Sequence, residues 1–208
     1  GFSNSRLAYD EIISKFCFAV EAHTLKKKIT SNDISFQYRQ AVPFSDECIE
    51  IVDDTLTKFM KCVLGWEDFK FSFNKATIFS WFVYIRRNLD LETIDLQNTI
   101  SYMEFCRAYI KGKYKKVDNK YIKTFSSLQK KVPFFEVMLN TFNQRTSMGS
   151  TDALSIIYRD IIITLFKDMM WNEKSALLQY TMDTFVELEN FNYTLEKIVE
   201  KYNWGEHF

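Results

Sequence analysis

NTFNQRTSMGSTDALSIIYRDIIITLF, residues Asn140 to Phe166, decides how the chain is read. A polar loop from Asn143 to Ser150, carrying Arg145, leads into a segment where Leu154, Ile157, Ile161, Leu165 and Met169 recur at three- and four-residue steps. That is the period of a helix with one apolar side. Arg159–Asp160 stands in its middle turn, and Ser150 or Thr151 is expected to cap its start. Polar groups set into a core-forming helix need hydrogen-bond partners, because a buried unpaired one is costly. Arg145, Ser150, Arg159 and Asp160, with the Asn74–Lys75 pair upstream, are therefore read as the polar centre of the fold or its contact with a further domain.

Working outward, the 208 residues contain only five Gly and two Pro. So little turn chemistry favours long helices over sheet. The reading is a single all-α domain of seven to nine helices, with a possible subdivision near 88–91. Helices are expected over about Ser5–Leu25, from Asn32–Asp33 to near Pro43, from Ser45 to Gly65, from an Asn74 cap onward, and over Ile94–Lys111. Further ones are expected over Asp118–Phe142, 150–170, Lys174–Leu188 and Tyr193–Tyr202. Pro133 should kink or break the Asp118–Phe142 helix. In the Ser45 helix, Ile49, Val52, Leu56, Phe59 and Val63 are expected to face inward. Alternating Phe69, Phe71 and Phe73 suggest a short extended connector.

Composition excludes several classes. Hydrophobic residues at 47% and aromatics at 17% suit a packed core, not a disordered chain. No apolar run approaches the ~20 residues needed to cross a bilayer, so no membrane partner is expected. The opening GFSNSRLAYDEII has no basic segment followed by an apolar one, unlike a secretion signal. It also lacks an initiating Met, so a shortened chain beginning at a cloning scar or protease cut is expected. Cys17, Cys48, Cys62 and Cys106 form no CxxC and lie in apolar helical patterns, as buried reduced thiols of a cytoplasmic protein would. His23 shares a stripe with Phe16 and Val20, a core or boundary position. No metal site or cofactor is expected, since two histidines and scattered cysteines lack metal-ligand spacing. The acids Asp46, Glu47, Glu50, Asp53 and Asp54 are read as a solvated helix face near its positive end.

Charge is segregated. Between Arg107 and Lys131 stand nine bases (Arg107, Lys111, Lys113, Lys115, Lys116, Lys120, Lys123, Lys130, Lys131) against one acid, Asp118, a local +8 in a chain of net charge zero. Tyr109, Tyr114, Tyr121 and Phe125 interleave with them. Lysines suit phosphates and flat rings suit bases, so Arg107, Lys111, Lys113, Lys115, Lys116, Lys120 and Lys123 are the candidate contacts to DNA or RNA. The alternative is a solvated tip whose aromatics face the core.

Four blocks carry a family resemblance: RLAYDEIISKF (Arg6–Phe16), SDECIEIVDDTL (Ser45–Leu56), FNKATIFSWFVYI (Phe73–Ile85) and FNQRTSMGSTDALSIIYRDIII (Phe142–Ile163). In order and spacing they resemble the helical carboxyl-terminal half of the ParB/sulfiredoxin-like nuclease family, related to GmrSD-type restriction systems. The resemblance implies an amino-terminal domain carrying an Asp-Gly-Gln-Gln-Arg motif tied to nucleotide use and nuclease activity. Neither that motif nor a His-Asn nuclease motif occurs here, so the family's catalytic residues fall on no position of this chain. What it implies is a non-catalytic module of a bacterial defence-type enzyme, engaging nucleic acid, or docking its nuclease domain or a second copy of itself.

Overall fold

The computed structural model describes residues 8–40, 42–64, 73–114, 120–147 and 152–208. Ten helices are found among them: α1 (Ala8–Glu21), α2 (Ser31–Gln40), α3 (Asp46–Leu64), α4 (Lys75–Arg87), α5 (Thr93–Tyr109), α6 (Lys120–Lys131), α7 (Phe135–Ser147), α8 (Ala153–Met170), α9 (Ala176–Leu188) and α10 (Phe191–Tyr202). No strand occurs among the described residues. The all-helical class is as expected, with one helix more than the seven to nine counted from sequence. Pro133 accounts for part of that count, because it separates α6 from α7 where the periodicity had run through from Asp118 to Phe142. Val132 still donates its N–H to the Leu128 carbonyl at 2.9 Å, and the next turn restarts with Phe135 N–H to the Val132 carbonyl at 3.1 Å. The break turns Phe134 and Phe135 fully inward. Phe134 stacks on Phe191, centroids 5.4 Å apart, and Phe135 meets Phe125 at 5.5 Å.

Helices α8 and α4 form the middle of the molecule. α8 packs against α4, α5, α6, α7, α9 and α10, while α4 also touches α1, α3 and α7. Both are buried almost all round: every residue from Ala76 to Ile85 and from Ser155 to Ile163 is buried. The single apolar stripe expected for α8 therefore understates its burial, and Leu154, assigned to the stripe, lies 43% exposed at the helix start. The loop expected over Asn143–Ser150 is also shorter, since α7 continues to Ser147. Asp152 caps α8 by accepting from the Ser155 N–H at 3.0 Å, in place of Ser150 or Thr151, which lie outside the described residues.

Other starts follow local chemistry. Asn74 caps α4 through the Thr77 N–H at 2.9 Å. Ser45 opens α3 by accepting from the Cys48 N–H at 3.2 Å. α2 begins one step earlier than its expected Asn32–Asp33 cap. Thr30 is the capping residue, accepting from the Asp33 N–H at 3.3 Å while the Asp33 carboxylate accepts from the Thr30 N–H at 2.7 Å. This reciprocal pair satisfies two orphan donors at once. In α3 the buried row is Cys48, Val52, Thr55, Phe59 and Cys62. It is rotated from the expected row, leaving Ile49 exposed. The link from α4 to α5 is held by Lys58 of α3, which donates to the carbonyls of Leu89 and Leu91, the latter at 2.9 Å. The connector expected over 67–73 lies outside the described residues except for Phe73, which is buried. No helix is long and apolar enough to cross a membrane.

Candidate functional site

The proposed nucleic-acid contacts separate into an inside and an outside. Arg107 lies in the interior, 7% exposed. Its guanidinium pairs with Glu104 one turn earlier, donates through Nε to the Asn143 side chain at 3.1 Å, and stacks over Phe142 at 4.2 Å. Arg107 is therefore withdrawn as a phosphate contact: a charge so desolvated stays put only while its partners hold it. The interleaved rings also point inward. Phe105 is fully buried and stacks with Tyr109, Tyr114 and Tyr121 at 5.6, 6.1 and 5.1 Å. Phe125 meets Tyr109 at 4.9 Å. These rings belong to the core, as the alternative reading had them.

The lysines remain outside. Lys111, Lys113, Lys120, Lys123, Lys130 and Lys131 are exposed, whereas Lys115 and Lys116 lie outside the described residues. On α6 the buried Tyr121, Phe125 and Leu128 form one side. Lys120, Lys123, Ser127 and Lys130 recur at helical steps on the other. At 1.5 Å per residue, Lys120 to Lys130 spans about 15 Å, and no acid interrupts the sequence of α6.

The polar centre also divides. Arg159 is fully buried, donating from Nε to Ser80 Oγ at 2.7 Å and from Nη1 to the Arg145 carbonyl at 2.8 Å. Burial pushes its pKa down to about 9, with Arg107 and Arg145 adding to the effect and Asp152 opposing it. Arg145 itself sits over the Tyr158 ring at 4.9 Å. Asn74 joins this group, donating from Nδ2 to the Thr146 carbonyl at 3.2 Å. A second set continues it: Trp81 Nε1 donates to Glu104 at 3.0 Å, and Glu104 holds Arg107. Together they make a buried polar belt across α4, α5, α7 and α8.

Asp160 turns away from its neighbour Arg159, since successive residues on a helix point about 100° apart. Its Oδ2 accepts from Arg87 Nε at 2.9 Å and from Trp204 Nε1 at 2.7 Å. Burial raises the Asp160 pKa against the pull of Arg87 and the indole. Lys75 is elsewhere again, pairing with Glu11 at 2.6 Å, and Glu11 also holds Lys15 at 2.6 Å. Hydrogen bonds from Lys15 and Lys75 lower the Glu11 pKa. Ser150 lies outside the described residues.

Sequence reasoning missed Glu104, Asn143, Ser80 and Trp81. A signal existed for Glu104: it stands with Arg107 in SYMEFCRAY, one turn apart in a segment with no other charge. Charges without a polar face around them mark a helix buried on all sides. The four cysteines are free thiols, with burial pushing Cys48 up to about 12 and Cys62 up to about 11. His23 is exposed beyond the end of α1 at φ +51°, not on the core stripe. No group of three or more His, Cys, Asp or Glu that could hold a metal ion occurs among the described residues. No protein-family model, no curated protein and no solved structure matches the chain.

Proposed function

We propose that this chain is a non-catalytic helical module of a restriction- or defence-type, nuclease-related protein, and that it engages DNA or RNA backbone through the outer face of α6. The observation carrying this reading is the exposed row Lys120, Lys123 and Lys130, about 15 Å long by helical rise, with Lys111 and Lys113 exposed as well. Because the aromatics are turned into the core, contact is to phosphates only, which positions a duplex or strand without reading its sequence. Four sequence blocks supply the family part of the proposal. The test is binding of labelled duplex and labelled single strand across a salt series. Affinity should fall steeply with salt, with a slope near −0.9 per phosphate neutralised on a duplex, and should not vary with base sequence. Reversing Lys120, Lys123 and Lys130 to Glu should abolish it while the circular dichroism spectrum is kept. Failure of both probes at low salt would remove the nucleic-acid role.

A second reading has its own support. α2 buries none of its residues and exposes Phe36 at 63% and Tyr38 at 69%. Exposed aromatics are enriched in protein contact surfaces. In this reading the module docks a protein, its nuclease domain or a second copy. Sedimentation of wild type against Phe36→Ser separates self-association from a monomer.

A further inference from the structure

The last turn of α4, the turn at His23 and the end of the chain border an open cleft of about 440 Å³ lined by His23, Arg86, Arg87, His207 and Phe208. We propose that this cleft binds a small oxyanion, the phosphate or carboxylate group of a compact ligand, with Arg86 as its principal contact.

The first ground is the charge of the lining. Every ionisable side chain among the five lining residues is basic. Asp160 is committed to Arg87 and Trp204 through the same oxygen, while Glu21 and Glu206 interact electrostatically with His23 and His207 from outside the lining. Arg87 is further occupied by donating Nη1 to the His207 carbonyl at 3.3 Å. Arg86 has no such partner. Its Nε is buried without a hydrogen-bond acceptor among the described residues, and its guanidinium lies 6.0 Å from the centroid of the Phe208 ring. A position at the carboxyl end of a helix accounts for two positive charges there. It does not account for a desolvated donor left unbonded, which is unfavourable and uncommon.

The second ground is that the walls are built. Leu25 N–H and Thr24 Oγ1 both donate to the Gly205 carbonyl, at 2.8 and 2.7 Å, and Phe208 N–H donates to the His23 carbonyl at 2.8 Å. The Phe208 ring packs on fully buried Phe16 at 6.1 Å. These contacts fix both histidines at the cleft, 184 positions apart in the chain. A guanidinium presents a planar fork of donors that matches an oxyanion.

Titration of the full chain with inorganic phosphate or with acetate, at constant ionic strength in chloride, tests the proposal. Wild type should bind at least one of them saturably, with the ring proton signals of His23 and His207 shifting along the same isotherm. Arg86→Gln should weaken binding at least tenfold. The Lys120, Lys123 and Lys130 to Glu variant should bind as wild type does, which separates this cleft from the α6 face. Should Arg86→Gln fail to fold, the histidine signals of the wild type decide alone. Absence of saturable binding, histidine signals unmoved by either anion, or equal affinity in folded Arg86→Gln would overturn the proposal.

Discussion

Helices α6 and α8 pack against each other, yet treat basic residues in opposite ways. On α8, Arg159 lies wholly inside and is hydrogen-bonded to Ser80 and to the Arg145 carbonyl. On α6, Lys120, Lys123 and Lys130 stand in solvent while Tyr121, Phe125 and Leu128 hold the core. Among the described residues α6 packs chiefly against α5, α7 and α8 and keeps an exposed side, whereas α8 has six neighbours and is buried almost all round. The difference teaches that a cation's role here follows the number of faces its helix must bury, and its neighbours in sequence follow from that. Arg107 makes the point within the lysine-rich segment itself, for it belongs with Arg159 and not with the lysines around it.

The largest expected effects come from the inside of that comparison. Arg107→Ala leaves Glu104 buried without its partner and should cost about 3–5 kcal/mol. Arg159→Ala leaves a cavity and removes the donor to the Arg145 carbonyl, while Ser80 keeps its bond to the Ala76 carbonyl, and should cost a similar ~3–5 kcal/mol. Denaturant midpoints measure both. A loss below 1 kcal/mol for either would return that arginine to the surface. Arg159→Met, which keeps apolar bulk, should lose less than Arg159→Ala.

Gly205 should come next. Its φ is +86°, and a Cβ there would lie 2.8 Å from two atoms of the Ile157 side chain. Gly205→Ala is expected to cost about 1–3 kcal/mol. It should also loosen the chain end, seen as faster amide exchange at Leu25 and Phe208.

Asp160→Asn should be milder, about 1–2 kcal/mol, because an amide oxygen still accepts from Arg87 and Trp204. Its signature is in pH. Burial holds the folded pKa of Asp160 above its unfolded value. The stability it contributes is fully present below the unfolded pKa and is lost as pH rises through the folded one. Wild type should therefore lose stability relative to Asp160→Asn as pH climbs through that range. An unchanged difference would show that Arg87 and the indole balance burial, and a gain would show that they outweigh it.

Smallest is the outside of the comparison. Lys123→Ala should move stability by no more than about 0.5 kcal/mol, while weakening any phosphate contact by one step in the salt slope. A large loss of stability there would put Lys123 in the core.

Much of this fold is written in local chemistry. Scarce Gly and Pro, helical periodicity, the Asn74 and Ser45 caps and the Pro133 break are set by residues near one another in the chain, so sequence alone determined the helical class and most helix boundaries. Sequence also marked Arg159 and Asp160 as polar groups in a core helix. Which partners they take was decided only by the tertiary structure. Ser80, Arg87 and Trp204 lie tens of positions away, and a rotation of about 100° sends adjacent side chains to different partners, Arg159 to Ser80 in the middle of α4 and Asp160 to Arg87 at its end. The fate of Arg107 and of the tyrosines among the lysines was legible only in part, through the Glu104–Arg107 pair and the alternative of inward-facing rings. Periodicity shows that a helix has an apolar side, but burial depends on how many other helices close around it.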